Sequence, residues 1–205
     1  MPQSLFNIKE ISVSLAKNKK KVSKAKATAT RAGNKKIITI KARRLERCQD
    51  VIGKIKMGED IHYASCGEWS SHELLAHILN QTGPAHVMFS TWSVSEMAIR
   101  LILKWMQDKK ILSLDALLDW RVKVRRPEVL ELLRFNLSKT NLYLTNCHAK
   151  VAVIKNNSWA VSIVGSANFT NNPRIEAGVI SCSRTAANFH TDWILREIKR
   201  AKPFE

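Results

Sequence analysis

From residue 61 onward the apolar positions switch regularly between two spacings. Apolar runs at 61–66, 85–91 and 111–117 read as strands, and each is followed by a segment with apolar residues at helical spacing, at 72–81, 94–109 and 127–137. The last of these carries Pro127 near its first turn, where a missing N–H costs nothing. After Asn141 the spacing tightens into strands with no room for helices: 141–146, 148–154, 159–164 and 176–182, with Asn156-Asn157-Ser158 as a hairpin turn and an amphipathic helix near 185–200. Upstream, Ile37-Ile38-Thr39-Ile40 reads as a strand and 43–56 as a helix with Leu45, Val51, Ile52 and Ile55 at its spacing. This alternation predicts an α/β (mixed α+β) class, one mixed sheet with helices packed on its faces. The chain shows no internal repeat.

Residues 16–36, AKNKKKVSKAKATATRAGNKK, break the pattern. They are poor in apolar side chains and rich in Lys, Ala and Thr, too little buried surface to offset ordering entropy. The expected organisation is a basic flexible arm over 1–36 and a single domain over 37–205. At 205 residues with 45% hydrophobic content and six Trp, the chain is long enough for one real core. No apolar run of about 18 residues predicts a bilayer crossing. The stretch 5–15 is interrupted by Asn7, Lys9 and Glu10 and does not read as a secretory leader, so the expected location is cytoplasmic. The cysteines, at 48, 66, 147 and 182, form no CxxC pair and read as free thiols; neither a zinc site nor any other cofactor is expected.

Charge sharpens the picture. Residues 1–56 hold 16 Lys and Arg against three acids, whereas the other 149 residues hold 18 bases against 14 acids. Clustered cations gain binding free energy by releasing counterions from a phosphate backbone, so a nucleic acid, DNA or RNA, is the expected partner. The plain alternative is a solvated tail that only confers solubility. Candidate contacts are Lys17, Lys19, Lys20, Lys21, Lys24, Lys26, Arg31, Lys35 and Lys36 in the arm, with Lys123, Arg125 and Arg126 as a second group before the helix at 127.

Within the expected strand 148–154, side chains alternate, which puts His148 and Lys150 on one face and Ala149 and Val151 on the other. A nucleophile and a cation then sit side by side. The next strand ends in Gly165-Ser166-Ala167-Asn168, where glycine permits close backbone approach and Ser166 and Asn168 offer polar groups. Hairpin pairing brings the two sets together. This constellation resembles the phospholipase D-like, or HKD, phosphodiesterase family, whose pattern is His-x-Lys, four residues, Asp, a short segment and Gly-Ser-x-Asn. His148, Lys150, Gly165, Ser166 and Asn168 match it, and Glu176 stands where family members of the bacterial nuclease type carry a downstream Glu. Where the family has Asp, this chain has Lys155.

The resemblance implies a phospholipase D-like sheet and a metal-independent phosphodiesterase, with His148 attacking phosphorus to form a covalent phosphohistidine. It assigns Lys150 and Asn168 to the non-bridging phosphate oxygens. A second imidazole must protonate the leaving oxygen, and with one motif per chain the resemblance implies a homodimer in which the partner's copy of this residue serves as general acid. Glu176 is a candidate for orienting or charging one imidazole. Two alternatives stay open: a member that binds nucleic acid without cleaving it, suggested by Lys155, and a lipid-directed phospholipase.

Other features suggest ordinary roles. His72 and His77 are one residue too far apart for the His-Glu-x-x-His zinc spacing and read as helix histidines. Cys147, on the sheet face opposite His148, reads as core filler. Trp92, Trp105, Trp120 and Trp193 read as core residues, whereas Trp69, in the loop Gly67-Glu68-Trp69-Ser70-Ser71, is the tryptophan placed to reach a phosphate pocket.

Overall fold

The computed structural model describes residues 28–33, 36–41, 48–136, 140–171 and 174–203. Its strands are β1 (Thr28–Gly33), β2 (Lys36–Lys41), β3 (Asp60–Ser65), β4 (Ala85–Thr91), β5 (Ile111–Asp119), β6 (Thr140–Thr145), β7 (Val151–Lys155), β8 (Ala160–Gly165), β9 (Glu176–Ser181) and β10 (Lys202–Pro203). Its helices are α1 (Cys48–Ile52), α2 (Ser71–Thr82), α3 (Glu96–Gln107), α4 (Arg121–Arg125), α5 (Pro127–Asn136) and α6 (Arg184–Arg200). The strands form one mixed sheet in the order β10-β6-β5-β4-β7-β8-β9-β3-β1-β2. The β4–β5 and β5–β6 pairs are parallel and connected through helices; the other neighbours are antiparallel.

Both faces of the central strands are covered, which is why they read as near-continuous apolar runs. Val87 and Phe89 of β4, Leu118 of β5 and Ile154 of β7 join Leu75 and Ile78 of α2, Ile99 and Ile102 of α3 and Leu130 of α5 in the larger core. Met88, Leu117, Val151 and Val153 point the other way, against Ala187, Ile194 and Ile198 of α6. Each fully buried Ile or Leu among them stabilises the fold by roughly 1.5–3 kcal/mol. Helix starts are capped by serines: Ser70 and Glu73 form a reciprocal capping box on α2, and Ser95 and Ser183 accept N–H groups of α3 and α6.

The differences from the expected pattern have local causes. The strand expected over 148–154 begins only at Val151, because β6 and β7 are separated in the sheet by β5 and β4 and residues 146–150 must cross between them. The helix expected over 43–56 is described only as Cys48–Ile52; residues 43–47 lie outside the described residues, and Gly53, with φ of 65°, ends it by donating its N–H to the Gln49 carbonyl at 2.9 Å. Thr28–Gly33, counted with the basic arm on composition, pairs as β1 with β2 and β3. Two β-branched threonines at alternate positions suit a strand once a sheet edge is offered. Arg31 and Lys36 therefore occupy strands, whereas Lys17, Lys19, Lys20, Lys21, Lys24, Lys26 and Lys35 lie outside the described residues. Among the described residues no helix is long and apolar enough to cross a membrane.

Candidate active site

Sheet topology gathers the candidate residues. Because β4, β5 and β6 run parallel, their carboxyl ends share one edge; β7 and β9 begin and β8 ends at that same edge, since each is antiparallel to its neighbour. The crossing segment 146–150 runs over these ends and is fastened at both sides. The Cys147 N–H donates to Asp119 Oδ2 at 3.1 Å at the end of β5, and Ser90 Oγ of β4 donates to the Ala149 carbonyl at 3.3 Å. Carboxyl ends of strands where the chain changes direction are where α/β sheets offer ligand crevices.

His148 is exposed on this crossing and packs its ring against Trp92, centroids 5.6 Å apart and tilted by 54°. Lys150 Nζ lies 3.2 Å from His148 Nδ1 and 3.4 Å from Nε2, and donates to the His148 carbonyl at 2.6 Å. The two side chains meet as the alternation anticipated, although neither lies in a strand. Burial lowers the Lys150 pKa from its ordinary value, opposed by the charges of Cys147, Glu176 and Asp119.

The second half of the motif is fastened to the first by backbone. The Gly165 N–H donates to the Lys150 carbonyl at 3.1 Å, and Ser166 N–H to the Ala177 carbonyl at 2.9 Å. Ser166 Oγ accepts the Ala177 N–H at 3.0 Å and donates to the Glu176 carboxylate, which fixes that carboxylate at the start of β9. Thr91 Oγ1, at the end of β4, lies 3.2 Å from Asn168 Oδ1, and Ser71 Oγ donates to the Ala167 and Asn168 carbonyls at 3.0 and 3.1 Å. Space at 165 is tight: a Cβ there would sit 3.0 Å from the Tyr63 hydroxyl oxygen and 3.2 Å from the Ala177 carbonyl, so either neighbour would have to give way by a few tenths of an ångström. Burial raises the pKa of that tyrosine, with the Glu176 charge adding to the shift.

His148, Lys150, Ser166, Asn168 and Glu176 thus line one cavity of about 560 Å³, together with Trp92, Ser93, Thr170, Asn171 and Arg174. Among the described residues His148 is the only histidine lining it. Such an arrangement offers one nucleophile, two cations, several hydrogen-bond donors and one carboxylate held by a hydroxyl, a set suited to a phosphoryl group. Lys155 lies elsewhere, at the far end of β7, where its ammonium donates to Asn188 Oδ1 of α6 at 2.8 Å. Of the second basic group, Arg125 comes to the rim, its guanidinium 5.3 Å from the Trp92 ring centroid; Arg126 turns to Glu128 at 3.7 Å and Lys123 is exposed on α4.

Trp105 and Trp193 pack against the core as expected, but three other tryptophans depart from the roles the sequence suggested. Trp69 is 7% exposed, packed on Tyr63 at 5.9 Å in the core, whereas Trp92 is half-buried at the pocket wall and Trp120 is 49% exposed. Trp92 and Ser93 of the cavity wall, and Arg121, whose guanidinium carbon lies 5.4 Å from the Trp92 ring centroid, were missed because hydrophobic pattern alone treats them as ordinary residues. The available signal was their position immediately after β4 and β5, two parallel strands whose carboxyl ends face the crossing. Cys147 is buried in the smaller core as expected. His72 is 2% exposed and bonded to Ser70 Oγ at 2.9 Å, while His77 Nε2 lies 2.9 Å from the Gly53 carbonyl. Among the described residues no three His, Cys, Asp or Glu side chains gather as a metal-binding group, and all four cysteines are free thiols.

No protein-family model matches the chain, and no curated protein matches it in sequence. Solved structures do share its fold. The polyphosphate kinase of Porphyromonas gingivalis matches at a TM-score of 0.51 and 11% identity, over 70% of this chain and 26% of that one. Nuc, a phospholipase D family member from Salmonella typhimurium, matches at a TM-score of 0.51 and 13% identity over 64% of this chain and 90% of that one. The helix-flanked mixed sheet that carries His148, Lys150, Ser166 and Asn168 to one edge is therefore a fold shared with a phospholipase D family member.

Proposed function

We propose that this chain is a metal-independent phosphodiesterase that cleaves DNA or RNA through a covalent phosphohistidine on His148, in a site completed by a second copy of the chain. The convergence of His148, Lys150, Ser166, Asn168 and Glu176 on one cavity carries the reading, because it sets a nucleophile, a cation, hydrogen-bond donors and a carboxylate within reach of one phosphoryl group. In the first step an imidazole nitrogen of His148 attacks phosphorus as the bond to the leaving oxygen breaks, and the second copy's imidazole gives that oxygen its proton. In the second step that imidazole takes a proton from water, whose oxygen attacks phosphorus and breaks the phosphorus–nitrogen bond. Lys150 and Asn168 stabilise the charge that grows on the non-bridging oxygens. Glu176, held by Ser166, orients or charges an imidazole. Lys123, Arg125, Arg126 and the cations of the N-terminal region serve the rest of the phosphate backbone.

The position of Lys155, bonded to α6 and away from the cavity, supports turnover despite its departure from the family pattern. Purified protein is incubated with single- and double-stranded DNA and RNA in excess EDTA, beside His148→Ala. Wild-type cleavage abolished by the substitution is expected; equal residual cleavage by both, or none by either, sinks the reading. Shared assembly is checked by co-expressing differently tagged wild-type and His148→Ala chains and isolating the mixed species. Full specific activity in that species is incompatible with two contributed imidazoles.

A further inference from the structure

The indole of Trp92 lies against both the candidate nucleophile and two cations. Its ring centroid lies 5.6 Å from that of His148, 5.4 Å from the Arg121 guanidinium carbon and 5.3 Å from that of Arg125. Arg121 and Arg125 are four residues apart on α4, hence on one helix face. Two guanidinium groups on one ring repel each other, and the fold compensates only one. Asp119, 1% exposed, accepts from Arg121 Nε at 2.8 Å and from the Arg121 N–H at 3.0 Å. Arg125 has no acidic partner among the described residues. An anion beside it gains direct attraction and relieves that repulsion, and contact with the indole already restricts the guanidinium's freedom, lowering the entropy lost on binding.

We propose that Arg125 and Arg121, braced on Trp92, form a second phosphate-binding subsite beside the His148 cavity, which takes the phosphate next to the scissile one. The proposal rests on the phosphodiesterase reading above and narrows its substrate class: the ligand is a polynucleotide strand, with several phosphates in sequence, rather than a molecule with one phosphodiester. A lipid headgroup bearing a single diester would fill the His148 cavity and leave Arg125 empty. Trp92 belongs to both subsites, so it couples the position of the strand to that of the reacting phosphorus.

The test uses the full chain and two substrates, bis(p-nitrophenyl) phosphate as a single diester and a fluorescent single-stranded oligonucleotide. Arg125→Gln is expected to lower kcat/KM for the oligonucleotide at least tenfold more than for the single diester. In anisotropy titrations it should reduce the slope of log K against log[salt] by about 0.7, the loss of one phosphate contact on a single strand. Arg134→Gln, which removes an exposed charge from the last turn of α5, controls for net charge and is expected to leave both quantities unchanged. Equal losses on both substrates, or a salt slope no different from that of the Arg134 control, overturns the subsite. Wild-type protein that hydrolyses neither substrate defeats the phosphodiesterase reading instead; the salt slopes then decide the subsite by themselves.

Discussion

The ammonium of Lys155 donates to the side-chain carbonyl of Asn188 at 2.8 Å, tying the last residue of β7 to α6 at the edge of the sheet opposite His148. The position at which this chain departs from the phospholipase D-like pattern is thus a strand-to-helix fastening. Lys155→Ala removes one partly exposed hydrogen bond, worth about 0.5–1.5 kcal/mol in stability. The rate of phosphodiester cleavage is expected to stay within twofold of wild type, in contrast to His148→Ala. Urea denaturation and initial rates on one preparation check both, and a loss of activity larger than the loss of folded protein would return Lys155 to the site.

Close packing beneath the motif makes a second expectation. A Cβ on Gly178 would lie 2.5 Å from the Val164 carbonyl and 2.6 Å from the Tyr63 hydroxyl oxygen, contacts no side chain sustains, whereas at Gly165 the nearest atom is that hydroxyl at 3.0 Å. Gly178→Ala should destabilise the protein by about 1–3 kcal/mol or more through overpacking, and Gly165→Ala by less. Adding Tyr63→Phe removes the hydroxyl and should recover part of the loss at Gly165. At Gly178 it should recover little, because the Val164 carbonyl and the tyrosine ring remain. Urea midpoints of the two single and two double variants decide this, and equal recovery at both glycines contradicts the packing described.

The sheet and most of its helices were legible in the chain because burial on both faces leaves long apolar runs, and helical covers leave a 3.6-residue period. The β7–β8 boundary fell within a few residues because a turn residue, Asn156, marked it. Asn156 closes the β7–β8 hairpin by accepting the Ser158 and Trp159 N–H groups at 3.0 and 2.8 Å. The site was legible only where chemistry is concentrated in a short motif. Trp92 enters it, and Arg121 reaches Trp92, through strand order, and strand order is a long-range property: the chain must return from β6 across β5 and β4 before His148 lies beside Trp92. The β1 strand was hidden for a related reason, since composition alone makes 16–36 look unable to fold and only the edge of β3 gives Thr28–Gly33 a partner.

His72 makes the stability of the protein depend on pH. Ser70 Oγ gives its one proton to Glu73 Oε2 at 2.9 Å, so at the 2.9 Å contact with His72 the imidazole Nε2 is the donor and the buried Nδ1 carries the lone pair. Burial holds this histidine below its ordinary value of 6.5, partly offset by Glu73, and burial lowers His190 too. Below about pH 6.5 the unfolded chain takes up these protons while the folded chain resists, so stability present at neutral pH is lost as pH falls toward the folded values. The drop in urea midpoint between pH 7.5 and pH 5.5 should therefore be smaller in His72→Gln than in wild type. A larger drop in the variant, or an identical one, contradicts the assignment.

Asp119 is the point where the crossing segment and Arg121, one of the two cations on Trp92, are held together. Its buried carboxylate accepts the Cys147 N–H, one residue before His148, and both the backbone and side chain of Arg121, whose guanidinium lies over Trp92. Two routes therefore lead from one carboxylate to the His148 ring, one through the backbone and one through the indole. Asp119→Asn keeps the shape but replaces one accepting oxygen by an amide NH2, which donates only and faces an N–H it cannot accept; a stability loss of about 1–3 kcal/mol follows. If the residue positions the nucleophile, kcat should fall more than tenfold while KM for a single diester changes little, since the cavity walls formed by Ser166, Asn168 and Arg174 do not depend on it. A purely structural role predicts that activity falls only with the fraction of folded protein. Single-turnover rates on bis(p-nitrophenyl) phosphate, normalised to the folded fraction measured by circular dichroism, separate the two: a normalised rate equal to wild type leaves Asp119 as a fold-stabilising residue alone.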